Sequence, residues 1–257
     1  MVMKPLNKVD NMNKIDIILM TCNRLDFTKK CIEELTTRII PFSKVNLIVT
    51  DDKSSDGTFE FLEEMVEKKI VSVLLNNNGK GYSGISVAWD DGLKYVSSEY
   101  FITTFDDIII PFLKPDVVDQ LISLMEKYPE YGGISCRIQR IPNMSWLDAD
   151  ITTARKGLAS YFRIQRLEDI LKAGGFGKKH YEEFGFTSLI RKIGKEAGWA
   201  SNLWCNHLGY GNNRGYKIKT EKHGSGTWKR NQAVKEKPYP KIDLITNKPL
   251  DGERVFK

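Results

Sequence analysis

The sequence of 257 residues predicts an α/β fold in which helices flank a mainly parallel central sheet. Short β-branched runs alternate with segments of helical apolar spacing, and clusters of polar residues follow the apolar runs. The length suits one domain with a sizeable core, and 41% hydrophobic with 28% charged residues is typical of a globular protein. Ligands gather at the carboxyl ends of parallel strands, so we expect a site where the polar clusters lie.

The order of elements along the chain supports this fold class. Apolar, β-branched runs predict strands at residues 15–20, 45–50, 70–75, 100–105 and 133–138. Apolar positions at helical spacing predict helices at about residues 27–39, 61–66, 85–96, 117–125, 166–173 and 188–197. Pro41 ends the first helix, and residues 140–156 show no regular pattern. The first half is therefore a β-α-β-α-β unit that continues into a further helix and strand.

The two ends of the chain differ from its middle. Residues 1–13 carry lysines without the apolar core of a secretory signal, and no apolar run approaches the ~20 residues of a membrane-spanning helix. From Gly224 the chain is rich in Lys and Pro with few apolar positions. We expect an N-terminal extension over 1–13, one domain over 14–223, a basic extension over 224–257 and a cytoplasmic location.

Charge and cysteine content limit the partners and the redox chemistry. The formal charge of +6 suits an anionic partner such as a nucleotide, an acidic polymer, nucleic acid or a lipid surface. A solvated basic surface explains the charge equally well. The four cysteines include no CxxC pair, which argues against a zinc or redox motif, and Cys31 and Cys205 are expected in the core.

Four polar segments occur in a fixed order along the chain. They are TCNR, TDDKSSDGT, NNNGKGYSG and FDD, which follow the first four predicted strands in turn. This set resembles the glycosyltransferase family 2 pattern, in which strands end in T-x-N-R, D-D-x-S-x-D-x-T and a D-x-D-like acidic motif. The resemblance covers about residues 14–215. It implies a GT-A fold and an inverting sugar transfer from a nucleotide diphosphate donor, with a UDP-sugar favoured over GDP- or dTDP-sugars.

The adjacent acids Asp106 and Asp107 are the candidate metal ligands. A nucleoside diphosphate leaves readily only when its charge is neutralised, and a divalent cation such as Mn²⁺ or Mg²⁺ held by carboxylates does this. The usual motif separates its two acids by one residue, so which acid binds the metal stays open. In the family a histidine often completes the site, and His207 is its counterpart here. The alternatives are solvated carboxylates in a turn and a structural histidine.

The resemblance also assigns residues to the nucleotide-sugar. They are Thr21, Asn23, Arg24, Asp51, Asp52, Asn78, Gly79, Lys80 and Asp106. A carboxylate can accept the uracil N3 proton, and a glycine-rich turn lets the backbone approach phosphate. The alternative for Asp52 is capping of the DKSSDGT loop, and Asp56 and Thr58 are predicted to be caps rather than ligands.

Inverting transfer also needs a general base for the acceptor hydroxyl. In the family this acid follows a G-G-F segment, in an E-D pair before a helix that bears Arg and then Gly. This chain has residues 174–176 as GGF, then Glu182 and Glu183, then Arg191 and Gly194. The resemblance therefore implies Glu183 as the base and Glu182 as its neighbour. The alternative is two exposed acids at a helix start, with Asp148 and Asp150 as the next candidates for the base.

Two other functions stay open at this stage. A sugar-phosphate nucleotidyltransferase would carry a glycine-rich basic signature after its first strand, where this chain has TCNRLDF. A catalytically silent carbohydrate- or nucleic-acid-binding protein would explain the irregular acidic motif and the basic tail. The acceptor can be a glycan, a lipid-linked molecule, a protein or a nucleic acid, and the charge permits peripheral contact with an anionic surface. Trp146, Trp199 and Trp204 are candidates for stacking on sugar rings, with core packing as the alternative.

Overall fold

A curled sheet organises the protein, and its strands alternate with helices as the sequence predicts. The computed structural model describes residues 14–77, 85–138, 149–155, 157–176 and 182–208, and the backbone of 242–243 and 248–249. The elements in chain order are β1 (Ile15–Thr21), α1 (Leu25–Arg38), β2 (Val45–Asp51), α2 (Thr58–Glu67), β3 (Val73–Asn76), α3 (Ile85–Leu93), β4 (Tyr100–Phe105), β5 (Ile108–Ile109), α4 (Val117–Lys127), β6 (Tyr131–Ile138), β7 (Ile151–Thr153), β8 (Arg163–Arg166), α5 (Leu167–Lys172), α6 (Glu182–Lys192), β9 (Glu196–His207), β10 (Ile242–Asp243) and β11 (Lys248–Pro249).

The first four long strands form the parallel half of the sheet. They lie in the order β3-β2-β1-β4, and every residue of β1 and β2 is buried, as expected for strands covered on both faces. Thr21 pairs with Asp51, and Met20 pairs with Phe105. The three polar clusters that follow β1, β2 and β4 therefore meet at one edge of the sheet. This arrangement confirms the predicted fold class.

The other half of the sheet is mixed. Strand β8 lies between β4 and β6 and is antiparallel to both, while β9 runs parallel to β6 and pairs antiparallel with β5 and β7. The helix predicted at 188–197 is α6, which starts earlier and gives way to β9 at Glu196. Gly194 follows α6 with a φ of +79°, a left-handed conformation that ends helices and favours glycine. Strand β8 was not predicted, and β3 begins at Val73 rather than at residue 70.

Two apolar layers enclose the sheet. Ile17 and Leu19 of β1 belong to the layer that holds α1, α2 and α4, whereas Ile18 belongs to the layer that holds α3 and α6. Helix α6 packs closely on the sheet at Gly133, where a Cβ atom would lie 2.5 Å from the Phe186 ring. All four cysteines are free thiols, and Cys31 and Cys205 are buried in the core as predicted.

The chain after residue 223 is expected to add little to this core. Among the described residues, β9 is the last strand along the chain that joins the main sheet. Strands β10 and β11 form a separate antiparallel pair. We expect a variant that ends at residue 223 to unfold cooperatively, with a melting temperature close to that of the full chain. Circular dichroism during heating measures this. Loss of the cooperative transition would show that the apolar positions of 242–245 stabilise the domain.

Candidate active site

The acids at the end of β4 lie beside the end of β1. Thr21 Oγ1 donates to Asp106 Oδ2 at 2.8 Å, and Thr28 Oγ1 of α1 donates to the same oxygen at 3.4 Å. The Asp106 N–H donates to the Met20 carbonyl at 3.2 Å. Both Asp106 and Asp107 are buried, with 1% and 5% exposure. The strand-end acids therefore belong to an ordered network, so the alternative of solvated turn carboxylates is wrong.

Arg24 bridges the two acids. Its Nη1 lies 3.0 Å from Asp106 Oδ1, and its Nη2 lies 2.7 Å from Asp107 Oδ2. The guanidinium carbon also lies 4.5 Å from the centre of the Phe27 ring. Burial opposes the charge of Arg24, but the two carboxylates outweigh it and raise its pKa above the ordinary value. The acids thus have a permanently charged counter-ion within the protein.

The two acids differ in how readily they ionise. Burial raises the pKa of Asp106 to about 6, a rise that Arg24 opposes and Asp107 increases. Burial also disfavours the charged form of Asp107, but His207 and Arg24 outweigh it and lower the pKa of Asp107 below its ordinary value. Asp107 is therefore the acid that stays ionised over the wider pH range.

Strand pairing brings His207 to Asp107. His207 is the last residue of β9 and pairs with Ile108 of β5, the residue after Asp107. The Leu208 N–H donates to the Asp107 carbonyl at 2.7 Å, which fixes the two chain segments together. His207 Nδ1 lies 3.8 Å from Asp107 Oδ2. A histidine remote in sequence thus lies beside one member of the acidic pair.

The donor atoms present suit a divalent cation at Asp107 and His207. Carboxylate oxygen and imidazole nitrogen are both ligands of Mn²⁺-type ions, and one cation can span 3.8 Å because each bond is about 2.1 Å long. Asp106 suits this role less well, since Arg24, Thr21 and Thr28 engage both of its oxygens. Arg24 also engages Asp107 Oδ2, so a cation there would share this oxygen with Arg24. Within the described residues no cluster of three or more His, Cys, Asp or Glu side chains is placed to hold a metal.

The loop after β2 is tied to the loop after β1. The Asn23 N–H donates to Ser54 Oγ at 2.7 Å, and Asn23 Oδ1 accepts from the Ser55 N–H at 2.6 Å. Asn23 has a φ of +50°, a left-handed conformation that asparagine tolerates better than most residues. These bonds join the TCNR and DDKSSD segments into one surface.

Asp51 anchors this loop. Asp51 is fully buried, and its carboxylate accepts from both the N–H and the Oγ of Ser54. Burial raises its pKa, and the bonds from Ser54 oppose the rise. Asp52 is also buried, and its N–H donates to the Thr21 carbonyl at 2.9 Å. Asp51 thus caps the loop, and the role of Asp52 stays a prediction.

Asp56 is a cap as the sequence predicts, whereas Thr58 is the first residue of α2 and its hydroxyl donates to Asp56 Oδ1 at 2.6 Å. Asp56 Oδ1 accepts from the Thr58 N–H at 3.1 Å, where α2 begins. Asp56 Oδ2 accepts from the N–H of Leu25 at 3.1 Å, where α1 begins. One carboxylate therefore caps two helices, whose first N–H groups have no partner within the helix.

The GGF segment is held against α3. Gly174 and Gly175 have φ values of +86° and +83°, which favour glycine, and a Cβ at Gly175 would lie 2.6 Å from Asp90 Oδ1. That oxygen accepts from the Phe176 N–H at 2.7 Å. The Phe176 ring packs on Trp89 with centroids 5.4 Å apart. The two glycines thus let a short turn enter the packed layer ahead of α6.

Helix α6 begins at the candidate general base. Its first residues are Glu182 and Glu183, whose side chains lie outside the described part of the chain, so their role stays a prediction. Asn78, Gly79, Lys80, Trp146 and Asp148 also lie outside it. Asp150 accepts from Lys127 Nζ and from Tyr128 Oη, both at 2.7 Å. These partners precede β6, at the sheet edge opposite Asp106 and Asp107, which removes Asp150 as a candidate base.

A buried arginine that the sequence did not single out supports α6. Arg163 of β8 has no exposed surface, and its guanidinium carbon lies 3.6 Å from the centre of the Phe186 ring of α6. Its Nε donates to Gln165 Oε1 at 3.0 Å, and its Nη1 donates to the Leu158 carbonyl at 3.1 Å. The RIQR pattern reads as a polar surface segment, so only the tertiary structure reveals this contact.

The strand order and the acids at the end of β4 define a protein of the GT-A glycosyltransferase class. The family model described as glycosyl transferase family 2 matches residues 16–193. This match covers more than half of the sequence, and the chain belongs to that family.

Two curated relatives are similar over part of their length. The chain is 26% identical over 141 residues to the dolichyl N-acetyl-alpha-D-glucosaminyl phosphate 3-beta-D-2,3-diacetamido-2,3-dideoxy-beta-D-glucuronosyltransferase of Methanococcus voltae, over 52% of this chain and 42% of the relative. It is 26% identical over 94 residues to the poly(ribitol-phosphate) beta-glucosyltransferase of Bacillus spizizenii, over 37% of this chain and 15% of the relative. The chain thus matches less than half of either relative.

Solved structures share the fold at low sequence identity. Mannosyltransferase PcManGT from Pyrobaculum calidifontis, in complex with GDP-Man and Mn²⁺, has a TM-score of 0.63 at 16% identity over 87% of this chain and 61% of its own. S. aureus TarS 1-349 in complex with UDP-GlcNAc has a TM-score of 0.56 at 14% identity, over 82% of this chain and 60% of TarS 1-349. GalNAc-T7 with UDP, GalNAc and Mn²⁺ has a TM-score of 0.64 at 12% identity, over 87% of this chain and 47% of GalNAc-T7.

Proposed function

We propose that this chain transfers a sugar from a nucleotide diphosphate donor to a hydroxyl acceptor with inversion, and that the donor is a UDP-sugar. The observation that carries the proposal is the network at the carboxyl ends of β1 and β4, where Asp106 and Asp107 lie between Arg24 and His207. The complexes of structural neighbours with UDP-GlcNAc, with UDP and with GDP-Man support a nucleotide-sugar donor. Either a hexose or an N-acetylhexosamine fits this proposal.

Asp107 and His207 are the residues that would hold the divalent cation. The Mn²⁺ in complexes of structural neighbours supports this assignment. When bound, Mn²⁺ or Mg²⁺ neutralises charge on the diphosphate leaving group. Asp106 acts here as a positioning residue, because its oxygens orient Arg24, Thr21 and Thr28. Arg24 carries a fixed positive charge beside the diphosphate and can pair with its oxygens.

The remaining roles follow the geometry of the strand ends. Asp52 follows β2 and would recognise the nucleobase, Asp51 would support it by holding the loop through Ser54, and Asn23 holds the two loops together. Asn78, Gly79 and Lys80, which lie outside the described residues, would approach the donor phosphates. Glu183 at the start of α6 would remove the acceptor proton, and Glu182 would position it. The base must lie across the reacting carbon from the leaving group, since inversion requires attack from the opposite face.

A thermal-shift screen tests the donor proposal. UDP at 100 times its Kd should stabilise the protein by about 2.7 kcal/mol, because it binds only the folded state. We expect UDP with Mn²⁺ to raise the melting temperature more than UDP alone, and more than GDP or dTDP with Mn²⁺. Absence of a shift with every nucleotide diphosphate would contradict the proposal. A nucleotidyltransferase would instead release pyrophosphate from a nucleoside triphosphate and a sugar phosphate.

A catalytically silent binding protein is the second candidate function. The ion pairs from Arg24 to both acids favour it, since they satisfy these carboxylates within the protein. Such a protein would bind a nucleotide or glycan without releasing a sugar, so donor turnover separates the two candidates.

None of the helices in the described residues is long and apolar enough to cross a membrane. The cytoplasmic location and the contact with an anionic surface stay predictions.

A further inference from the structure

Arg24 binds the same carboxylate oxygen that the proposed cation would use. Arg24 Nη2 lies 2.7 Å from Asp107 Oδ2, and His207 Nδ1 lies 3.8 Å from that oxygen. A cation bonded to this oxygen at about 2.1 Å would lie within about 5 Å of the guanidinium nitrogen, so the two positive charges would repel each other. Arg24 in its observed position therefore opposes cation binding at Asp107.

Arg24 is also the most exposed member of this network. Its side chain is 27% exposed, whereas those of Asp106, Asp107 and His207 are 2%, 8% and 14% exposed. Its guanidinium spans both acids, since Nη1 lies 3.0 Å from Asp106 Oδ1. The acids therefore meet solvent mainly through Arg24, and a cation that approaches Asp107 encounters the charge of Arg24.

Only the side chain of Arg24 has to move to release Asp107. The Arg24 carbonyl accepts from the Thr28 N–H at 2.9 Å and from Thr28 Oγ1 at 3.0 Å, which fixes the backbone at the start of α1. The guanidinium is held by the two ion pairs and by the Phe27 ring, 4.5 Å away. Because an arginine side chain rotates about several single bonds, it can exchange one acceptor for another without a change in the fold.

A nucleotide diphosphate provides the alternative acceptor. Its oxygens match the paired N–H donors of a guanidinium as well as carboxylate oxygens do. The polar segments that follow β1, β2 and β4 meet at one edge of the sheet, so a donor bound there would bring its diphosphate beside Arg24. Transfer of Arg24 from Asp107 to the diphosphate would free Asp107 Oδ2 at the moment when the cation is needed. The ion pairs of the ligand-free protein are thus compatible with a cation site.

We propose that Arg24 is a built-in counter-ion, which neutralises Asp106 and Asp107 in the free protein and moves from Asp107 to the diphosphate when the donor binds. This inference rests on the proposed function, because it uses the cation site at Asp107 and His207. Arg24 competes with the cation in the free protein and stops competing once the nucleotide is bound. Cation and nucleotide therefore bind with positive coupling, and each raises the affinity for the other by the same factor.

Removal of the Arg24 charge tests this exchange with Mn²⁺ as the probe. Free Mn²⁺ would be measured by electron paramagnetic resonance during titration of the full chain, with and without saturating UDP. We expect Arg24→Gln to bind Mn²⁺ without UDP at least about tenfold more tightly than the wild type, the scale of a hydrogen bond between charged groups. The same variant should bind UDP more weakly, and UDP should raise its Mn²⁺ affinity by a smaller factor. Arg24→Lys should lie between the two, because lysine keeps the charge but lacks the planar fork.

Arg166→Gln is the matched control for the loss of an arginine from a buried ion pair. The Arg166 side chain is 13% exposed and lies 3.2 Å from Asp169. Arg166 pairs in register with Tyr100, the first residue of β4, and so lies at the opposite end of that strand from Asp106. Its substitution should leave the Mn²⁺ affinity unchanged.

Melting temperatures in Mn²⁺ and in chelator give a second measurement that needs no nucleotide. Arg24→Gln removes the positive charge between two neighbouring buried acids, so it should be less stable than the wild type in chelator. Mn²⁺ should stabilise this variant more than it stabilises the wild type, because the variant binds the ion more tightly. If Arg24→Gln does not fold, Arg24→Lys carries the comparison.

Equal Mn²⁺ affinity of the wild type and Arg24→Gln without UDP would overturn the counter-ion role. Absence of Mn²⁺ binding by Arg24→Gln would overturn it as well. Failure of UDP to bind the wild type would contradict the proposed function instead, and the titration without UDP would still decide whether Arg24 competes with the cation.

Discussion

Asp107→Asn is expected to abolish the cation dependence of nucleotide binding. Asp107 keeps the lower pKa of the pair and lies 3.8 Å from His207, so its carboxylate is the anionic ligand that the cation needs. Substitution of residues that merely support a metal ligand costs about 10- to 100-fold in affinity, so loss of the ligand itself should reach the upper end of that range. Calorimetric titration of UDP in Mn²⁺ and in chelator measures the effect.

Two further substitutions make this prediction specific. Asp106→Asn should weaken UDP binding less and keep its cation dependence, because Asp106 acts through Arg24 and the two threonines. The double variant Asp106→Ala/Asp107→Ala should lose metal-dependent binding entirely. Asp169→Asn is the matched control. Asp169 of α5 is also a buried acid paired with an arginine, since it lies 3.2 Å from Arg166 of β8. Unchanged UDP affinity of Asp107→Asn in Mn²⁺ would contradict the assignment of Asp107 as the metal ligand. If Asp107→Asn keeps Mn²⁺-dependent UDP binding and Asp106→Asn loses it, Asp106 is the ligand and Asp107 the positioning residue.

Glu183→Gln should separate binding from chemistry. If Glu183 removes the acceptor proton, its amide cannot, and turnover should fall by roughly 10²-fold or more while UDP affinity stays the same. Glu182→Gln should have a milder effect, because that residue positions its neighbour. Steady-state transfer rates and UDP titrations of both variants provide the comparison. Asp150→Asn is the control, since Asp150 pairs with Lys127 at the opposite edge of the sheet.

Near-native turnover in both glutamine variants would reassign the acids. Glu182 and Glu183 would then only stabilise the first turn of α6, where the helix dipole favours carboxylates. The base would have to come from elsewhere, with Asp148 the remaining candidate from the sequence. Reduced turnover that coincides with a lower melting temperature would be tested with Glu183→Asp, which retains a carboxylate.

The parallel half of the fold could be predicted because its signals are local. Each apolar run of β1, β2 and β4 is buried on both faces and ends at a polar cluster, so sequence pattern and sheet edge coincide. The cap that Asp56 provides for α2 was predictable for the same reason, since it acts within a few residues. Strand-end position, together with the order of the polar segments that resembles the family pattern, thus identified Asp106 and Asp107.

The mixed half could not be predicted, because long-range contacts define it. Strand β8 reads RIQR, yet Arg163 and Gln165 are fully buried and hydrogen-bonded to each other. Its polar residues fit the core only because α6 supplies the Phe186 ring and β4 supplies the Thr103 hydroxyl. The bridge from Arg24 to both acids spans more than 80 residues, and no local pattern records such a pair.

Release of nucleoside diphosphate from a sugar donor is the most direct test that this chain is a cation-assisted glycosyltransferase. The full chain would be incubated with UDP-glucose, UDP-GlcNAc, GDP-mannose and dTDP-glucose, with Mn²⁺ or chelator, and with glycan, lipid-linked, protein and nucleic-acid acceptors. The expected result is release of UDP from at least one UDP-sugar, which requires Mn²⁺ and is lost in Asp107→Asn. Binding of nucleotides without release from any donor, under every condition, would contradict catalysis and identify a silent binding protein.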